Sequence, residues 1–458
     1  MTSRAGFRLG IALFALASGL LATHGFALTF DVDTQFDGAD ANPGDGICET
    51  LVGACTLRAA IEEANALGGP HTINLPQGYY NAGDHEVTAD VSILGPSGLP
   101  VHDRPVVIGG GPTFDVQTGA RLSITGVSVL YGSTTFREAG CIENGGEFEL
   151  TDGGLYACTG RLGGAIHNQG TLTMTRCDVE DSDALDIGAS GNGGGLYNYT
   201  GGTATLTEVA FRRNTAAHYG GAIFNLGSLS LIDSWLDENE ALADAGGGLY
   251  QLQGIANLTR VTVSRNVASR GGGIYASQHL TLTNATIHSN AAGPGNLGGG
   301  LYLTTGTFGL VNVTIYNNSD GLATGNNATV QLVNTLFANY PYNCLLDSAV
   351  TSFGHNLEGG TDTCGLDGPG DLINSQLYNL PPRLYGGSGE TVPLIAGSPG
   401  IDDGDHALAP PTDQRGVLRL DGDGDGTVTA DIGAHEYDGI FADGFGSGNT
   451  SGWSSTVP

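Results

Sequence analysis

The sequence predicts an all-β fold, a parallel β-helix with three short strands per coil and a helical cap at its N-terminal end. Three observations lead to this prediction. A repeat occurs six times in the middle of the chain, its glycines recur in register between apolar runs, and one amphipathic helix precedes it. Repeats of roughly 20 to 50 residues that cannot bury a core alone are typical of solenoids.

Each repeat starts with a glycine pair, then alanine or glycine and an aliphatic residue, and ends with an apolar residue followed three positions later by asparagine. The glycine pairs start at Gly163, Gly193, Gly220, Gly246, Gly271 and Gly298. Consecutive starts are 30, 27, 26, 25 and 27 residues apart. The asparagines are Asn214, Asn239, Asn266, Asn290 and Asn318.

One repeat predicts three strands. Between Thr203 and Asn214 the apolar residues change side-chain parity at Glu208, so two strands meet there at a corner. A third strand, Ala222 to Asn225, follows the glycine pair. About five buried aliphatic side chains contribute roughly 1.5 to 3 kcal/mol each, while ordering about 25 residues costs roughly 1 to 2 kcal/mol apiece. A single coil is therefore unstable, and coils must stack.

Stacking places equivalent residues of successive coils about 4.8 Å apart. Aligned on the corner, one column reads Arg176, Glu208, Asp233, Arg260, Asn284, Asn312 and Asn334; a second reads Arg213, Glu238 and Arg265, with Arg212 beside Asp237. Opposite charges become neighbours in both columns, and the repeat asparagines can hydrogen-bond along the stack and adopt left-handed backbone. We therefore interpret the arginines as ladder partners rather than as the general base of a polysaccharide lyase.

Composition excludes some partners. The formal net charge is −31, from 47 acidic and 16 basic residues, and every basic residue is an arginine. Nucleic acid is excluded because binding it needs a basic surface that displaces counterions. Anionic polysaccharides and lipids would be repelled unless divalent cations bridge them.

The N-terminus predicts export. Arg4 and Arg8 precede an apolar run from Leu9 to Leu21, and small residues follow at Gly25 and Ala27. The run is too short for a membrane anchor and is typical of a secretory signal peptide over residues 1–27. We expect a secreted protein or one on the outer membrane or cell surface of a bacterium, with no transmembrane helix.

A helical cap is expected over residues 28–85. Leu57, Ala60, Ile61 and Ala64 share one helix face, and Gly68 follows as a stop. Such a helix would cover the open first coil, whose unpaired strand edges would otherwise promote association. The remaining boundaries are 86–340 for the repeats, 341–437 for the end of the β-helix and a terminal region, and 438–458 for a tail.

The seven cysteines form local groups, as export permits. Cys48 and Cys55 are expected to staple the cap, and Cys344 and Cys364 to flank a second loop. The other three, Cys141, Cys158 and Cys177, leave one thiol over, and their pairing stays open.

Several motifs resemble secreted bacterial families. Phe211-Arg212-Arg213-Asn214 followed by Gly220-Gly221-Ala222-Ile223 resembles the repeats of chlamydial-type polymorphic outer membrane proteins, which are right-handed parallel β-helices on bacterial surfaces. Cys55-Thr56-Leu57-Arg58-Ala59-Ala60 resembles the start of the CSLREA domain. The resemblance implies a right-handed parallel β-helix and an adhesin-like role.

The C-terminal third resembles a second family. Ser352-Phe353-Gly354-His355-Asn356-Leu357, Gly397-Ser398-Pro399-Gly400-Ile401-Asp402, Asp413-Gln414-Arg415-Gly416 and Asp431-Ile432-Gly433-Ala434-His435-Glu436 resemble, in order, the choice-of-anchor Q domain of secreted bacterial proteins. The tail resembles those of other secreted proteobacterial proteins.

One stretch suggests calcium. Asp421, Asp423 and Asp425 stand at positions 1, 3 and 5 of a loop with Gly426 at position 6, as in Ca²⁺ loops. The twelfth position is Ile432, so the full EF-hand pattern fails, and an ion-free turn is the alternative. Calcium is the only cofactor that the sequence suggests.

The function expected from these features is a non-catalytic, adhesin-like scaffold that binds a surface ligand of a host or neighbouring cell, or a glycan. The alternatives are a polysaccharide hydrolase or lyase and an inert envelope component. No catalytic residue is assigned. Asp402-Asp403 resembles the paired carboxylates of glycoside hydrolases, but its Ser-Pro-Gly-Ile-Asp context favours a turn.

Overall fold

The structure, a computed structural model, describes residues 27–135, 137–188, 190–295, 297–422 and 425–438. The signal peptide expected at 1–27 and the tail expected at 438–458 lie outside these ranges, apart from residues 27 and 438. Within the described ranges no helix combines the length and apolarity needed to cross a membrane.

Parallel strands stack coil upon coil into a solenoid of about ten turns. The strand Thr203–Arg212, for example, pairs in register with Thr171–Glu180 on one side and with Ser228–Ile232 and Trp235–Asp237 on the other. The pairing continues in this way along the chain, so the predicted parallel solenoid is confirmed.

The chain passes through faces A and B, a short-strand face and face C in each central coil. Face A contains Thr29–Asp31, His71–Asn74, Asp90–Leu94, Arg121–Thr125, Glu147–Thr151, Ser228–Ile232, Ile255–Thr259 and Val350–Ser352. Face B contains Tyr79–Ala82, Val106–Gly109, Ser128–Leu130, Gly154–Tyr156, Trp235–Asp237, Thr262–Ser264, Leu336–Ala338, Leu357–Gly359 and Leu372–Ser375. Face C contains His85–Val87, Phe114–Val116, Ile142–Asn144, Ile166–Asn168, Leu196–Asn198, Ile223–Asn225, Leu249–Gln251, Ile274–Ala276 and Cys344–Leu346.

Longer strands turn the corner between faces. These are Thr171–Glu180, Thr203–Arg212, His279–His288, Leu301–Tyr316 and Leu322–Val333. The short-strand face contains Thr159–Gly160, Asp183–Ala184, Thr215–Ala216, Glu240–Ala241, Val267–Ala268 and Ala291–Ala292. The three strands expected per coil are thus present, and the central coils add a fourth, whose two residues are too few to give a sequence pattern.

Left-handed residues make the corners. Between faces A and B, eight successive coils have a non-glycine residue with φ between 50° and 55°, at Asp152, Arg176, Glu208, Asp233, Arg260, Asn284, Asn312 and Asn334. The corner predicted at Glu208 is therefore confirmed. Left-handed backbone costs an L-residue roughly 1 to 2 kcal/mol, which the parallel hydrogen bonds to the coils above and below offset.

The glycine pairs are required by close approach as well as by conformation. Gly193 has φ 68°, and a Cβ atom on Gly194 would lie 2.3 Å from the carbonyl oxygen of Gly221 in the next coil. Adjacent coils can therefore come together at this turn only where a side chain is missing.

The repeat asparagines form a buried ladder. The Nδ2 atoms of Asn214, Asn239, Asn266, Asn290 and Asn318 each donate to the Oδ1 atom of an asparagine in the next coil, at 2.9 to 3.0 Å. The expectation that these asparagines adopt left-handed backbone is wrong. The preceding residue does so instead, as in Arg213 and Arg265, because this turns the amide side chain inward onto the stack.

The cap helix Leu57–Leu67 lies across the first coil and contacts the strands His71–Asn74 and His85–Val87. Thr56 accepts the backbone N–H of Ala59 at the helix start, and Gly68 ends the helix with φ 70°. All four residues of the predicted apolar face are buried.

Parallel pairing begins before residue 86. The strands His71–Asn74, Tyr79–Ala82 and His85–Val87 already pair with the following coil. The sequence places them in the cap because this first coil lacks the glycine-pair start that marks the later ones. At the other end, Cys364 and Leu366 are buried against the last coils and close the core.

After Leu372–Ser375 the chain turns back along face B. We call residues 376–438 the return segment. Within its described residues it forms only isolated antiparallel bridges, such as that between Asn379 and Leu394. Leu394 and Ile432 pack on Leu336 and Leu357 in a small apolar cluster, which anchors the segment on the late coils.

Candidate functional site: a groove on face B

The middle residue of each face-B strand points into the core, so the residues on either side of it point outward. On successive coils the first outward position reads Gly154, Asp178, Ala210, Trp235, Thr262, Thr286 and Thr314. The return segment covers the three threonines. Thr262 donates to the carbonyl oxygen of Glu390 at 2.8 Å, Thr286 donates to Gln414 at 2.5 Å, and Thr314 accepts the N–H of Ala434 at 2.9 Å.

A groove of about 470 Å³ opens where this cover stops. Its floor includes Asp178, Ala210, Arg212 and Trp235, its corner side Arg176, Glu208 and Asp233, and its far wall Gly386, Gly387, Ser388 and Arg415. We call it the face-B groove. Its volume is in the range typical of ligand sites, and its walls come from segments about 200 residues apart in the chain.

Ion pairs between coils connect the groove's charged residues. Arg176 Nε lies 2.7 Å from Asp152 Oδ1 of the preceding coil, and Arg260 Nε lies 2.6 Å from Asp233 Oδ1. Arg213 pairs in the same way with Asp181 at 2.8 Å. Arg260 thus pairs with Asp233 as its column predicts, whereas Arg176 and Arg213 pair with acids of the preceding coil and not with the expected Glu208 and Glu238.

The expected neighbourhood of Arg212 needs a correction. Arg212 is in register with Asp237, but its guanidinium turns to the preceding coil and contacts Asp178 at 3.1 Å and Glu180 at 2.9 Å. Asp237 pairs instead with Arg265 at 2.8 Å. Arg212 and Arg265 therefore both bond to acids of the preceding coil, a direction that the aligned sequence columns do not predict.

Trp235 is the large aromatic side chain of the groove. Its Nε1 donates to Ser264 Oγ at 2.7 Å, which fixes the ring plane. The guanidinium carbons of Arg212 and Arg265 lie 5.2 and 5.6 Å from the ring centroid, within cation–π range. Ala210 precedes it in the column, so the floor beside the ring is occupied only by a methyl group.

Asp178 is the carboxyl group of the groove whose pKa is shifted. Burial raises the pKa of Asp178, although the neighbouring Arg212 acts in the opposite direction. Glu180 raises the pKa further by like-charge repulsion. A shifted carboxyl in a groove is a feature of both binding and catalytic sites.

Of the cysteines and the Asp402-Asp403 pair, only Cys177 lines the groove. Cys48 pairs with Cys55 and Cys344 with Cys364, as expected, and the open trio resolves into a Cys141–Cys158 disulfide and a free, buried Cys177. Asp402 has φ 53° and its N–H donates to Asp431 at 2.9 Å, so the Asp402-Asp403 pair lies in a turn.

The expected calcium loop is only partly described. Asp421 accepts the N–H of Gly426 at 2.9 Å, and Asp425 accepts the N–H of Thr427 at 2.7 Å. Asp423 lies outside the described residues. Within those residues no group of three or more metal-binding side chains is gathered.

Face C contains two ladders that we did not predict. Asn144, Asn168, Asn198 and Asn225 each donate to the next amide along the stack, ending on Gln251. Outside them, Tyr197, Phe224, Tyr250 and Tyr275 stack at 4.7 to 5.2 Å with interplanar angles of 7° to 11°. Both ladders could have been predicted from the triplet of aliphatic, aromatic and amide residues that recurs after the glycine pairs. Because these rings cover one another's faces, they are structural.

Comparison with known proteins finds distant similarity to solved structures. No protein family and no curated protein matches the chain. Among solved structures, the A-module of mannuronan C-5 epimerase AlgE4 of Azotobacter vinelandii is 14% identical, covers 70% of this chain and 92% of its own, and has a TM-score of 0.32. The AlgE6 A-module of the same organism is 14% identical, covers 69% and 89%, and has a TM-score of 0.34. The resemblances to particular repeat, cap and anchor families stay predictions.

Proposed function

We propose that this protein is an extracellular, non-catalytic binding scaffold of adhesin-like type, which uses the face-B groove to hold a surface ligand of a neighbouring or host cell, or a glycan. The observation that supports this proposal is that the arginines of the groove are already paired with carboxylates. Arg176, Arg212 and Arg415 each bond to carboxylates of the chain itself. They are thus committed to positioning the walls, whereas a lyase needs uncommitted positive charge to stabilise a developing carboxylate charge.

Whole-cell binding tests this proposal. The purified chain from residue 28 is labelled and incubated with bacterial cells, host cells and immobilised glycans. We expect saturable binding to at least one of these surfaces that unlabelled chain competes away. Absence of saturable binding to every surface would count against the proposal, and a β-solenoid protein of similar charge serves as the control for non-specific adsorption.

A carbohydrate-active enzyme is the second candidate, and Asp178 is the observation that favours it. A carboxyl whose pKa is raised by burial could act as a general acid on a glycosidic oxygen. The test is a screen against plant and bacterial polysaccharides with release of new chain ends as the readout. Reproducible turnover that is lost in Asp178→Asn and kept in Asp233→Asn would establish this candidate instead.

Calcium binding at Asp421, Asp423 and Asp425 stays a prediction. If it is correct, the melting temperature of the chain will be higher in excess Ca²⁺ than in chelator, because an ion that binds only the folded state stabilises it. Asp421→Asn should remove this difference. Equal melting temperatures in the two buffers would refute the prediction.

A further inference from the structure

We infer that the face-B groove is a subsite for a neutral glycan, with Ala210 and the part of Trp235 that lines the groove as its apolar floor and Glu208 as an acceptor for the hydroxyl groups of the sugar. This inference rests on the proposed binding function and narrows it to one ligand class and one place. It depends on the charge balance of the groove, its small apolar floor and its paired strand edges.

The charges that line the groove cancel. Three arginines, at 176, 212 and 415, face three acids, at 178, 208 and 233. The chain as a whole has a formal net charge of −31, so an anionic glycan would be repelled on approach and would find no excess of positive charge on arrival. A ligand rich in hydroxyl groups and without net charge fits these conditions.

The groove combines an aromatic ring with hydrogen-bonding groups. The ring of Trp235 is held by its bond to Ser264 and lies next to the small Ala210. Glu208 is exposed and, within the described part of the chain, its side chain makes no hydrogen bond. Asp178, Ala210 and Trp235 follow one another on consecutive coils, so the floor is about 10 Å long. Because the guanidinium groups of Arg212 and Arg265 lie over the ring, a ligand contacts the part of Trp235 that lines the groove, together with Ala210. An apolar patch beside acceptors along a short trough is suited to a sugar, whose C–H faces are apolar and whose rim is polar.

A peptide is a poorer fit for a structural reason. The floor strands Thr171–Glu180, Thr203–Arg212 and Trp235–Asp237 are paired with neighbouring coils on both edges. No backbone edge is therefore free in the groove floor for an extended peptide to join as an added strand. A peptide would have to bind through side chains alone.

The chain offers its own reporter. It contains two tryptophans, Trp235 and Trp453, so Trp453→Phe leaves Trp235 as the single emitter. This variant of the full chain is titrated with cellotetraose, mannotetraose and xylotetraose, and with tetramers of mannuronate and galacturonate. We expect a saturable change of emission with at least one neutral tetramer, and affinity nearly independent of salt between about 50 and about 500 mM, because no ion pair forms with the ligand.

Calorimetric titration of two matched variants localises the site. Ala210→Leu fills the floor beside Trp235, whereas Thr205→Leu adds a similar side chain to the exposed side of face A in the same coil. We expect Ala210→Leu to weaken binding by at least about tenfold and Thr205→Leu to leave it unchanged, with circular dichroism confirming that both fold. Glu208→Gln should weaken binding less, because an amide oxygen still accepts hydrogen bonds.

The outcomes separate the two proposals. Binding of uronate tetramers alone, of peptides alone, or of a neutral glycan equally well by Ala210→Leu and the parent would overturn this inference and leave the binding scaffold standing. If no oligosaccharide binds in any titration and the whole-cell assay also shows no binding, both the glycan subsite and the binding scaffold are contradicted.

Discussion

At the scale of single residues, the buried side-chain amides of the repeat asparagines stabilise the stacking of one coil on the next. Each repeat asparagine accepts a backbone N–H of one coil and donates to the next, so the ladder satisfies polar groups that the corner would otherwise bury unpaired. The sequence reveals the positions of these asparagines by their spacing. It does not reveal that the left-handed residue is the one before each asparagine, because four of the five residues at that position are arginine, glutamate or serine, which show no preference for such backbone, and only Asn317 does.

Replacing one amide of the ladder tests its contribution. Asn266 is fully buried and bonds to Leu236 and Asn290 while accepting from Asn239. We expect Asn266→Ala to lower the free energy of unfolding by about 3 kcal/mol, because it leaves several buried groups without partners. Urea denaturation of the full chain measures this loss.

An exposed asparagine on the neighbouring strand is the matched control. Asn257 lies on the solvent side of face A, and Asn257→Ala should change the free energy of unfolding by no more than about 0.5 kcal/mol. Equal losses in the two variants would show that the ladder has no special role.

The free thiol allows a second test on a single residue. Cys177 is buried, its Sγ bonds to the carbonyl oxygens of Leu150 and Thr175, and burial raises its pKa to about 11. Because the reactive form is the thiolate, we expect no labelling by a thiol reagent in the native chain at pH 8. One thiol per chain should react after denaturation without reductant. Fast labelling of the native chain would contradict the structure around Cys177.

At the scale of elements, the return segment limits the part of face B that is open to a ligand. It covers face B from Thr262 onward and leaves the groove open at its edge. Its docking joins residues such as Glu390 and Thr262, 128 positions apart, and a repeat pattern has no information about such contacts. The sequence does contain one indication that face B is covered there, because the corner column changes from charged residues to Asn284, Asn312 and Asn334. These amides bond to the return segment.

Acid should loosen this segment through His435. The ring accepts or donates a hydrogen bond with Thr391 at 2.8 Å, lies near Tyr385, Arg415, Asp413 and Asp438, and has a pKa lowered to about 4, first by burial and then by Arg415. An unfolded histidine has a pKa of about 6.5, so between these values the unfolded state binds more protons. The stability that neutral His435 contributes is present above pH 6.5 and is lost as the pH falls towards 4.

Unfolding curves at pH 7 and pH 4.5 measure this loss. The contribution of His435 amounts to about 3 kcal/mol over the full range, and His435→Gln should flatten the pH dependence by a comparable amount. His406 is exposed, and His406→Gln should leave the slope as in the parent. A slope unchanged by His435→Gln would show that this histidine does not titrate as described.

In the molecule as a whole, the repeats build the stacked coils of the solenoid, and the return segment forms the far wall of the face-B groove. The solenoid, the helical cap, the A-to-B corners and two of the three disulfides could be predicted, because they depend on local periodicity and spacing. Trp235 could not be recognised as a site residue, since its place in the groove depends on Ala210 before it and on Gly386 and Arg415, which line the same groove from a distant part of the chain.

Calorimetric titration of the full chain with a neutral oligosaccharide tests the central claim most directly, because binding and turnover give different heat signals. The account predicts heat that saturates with ligand and disappears in Ala210→Leu. Sustained heat flow that continues after mixing and stops in Asp178→Asn would show catalysis in the groove and contradict the claim that it only binds.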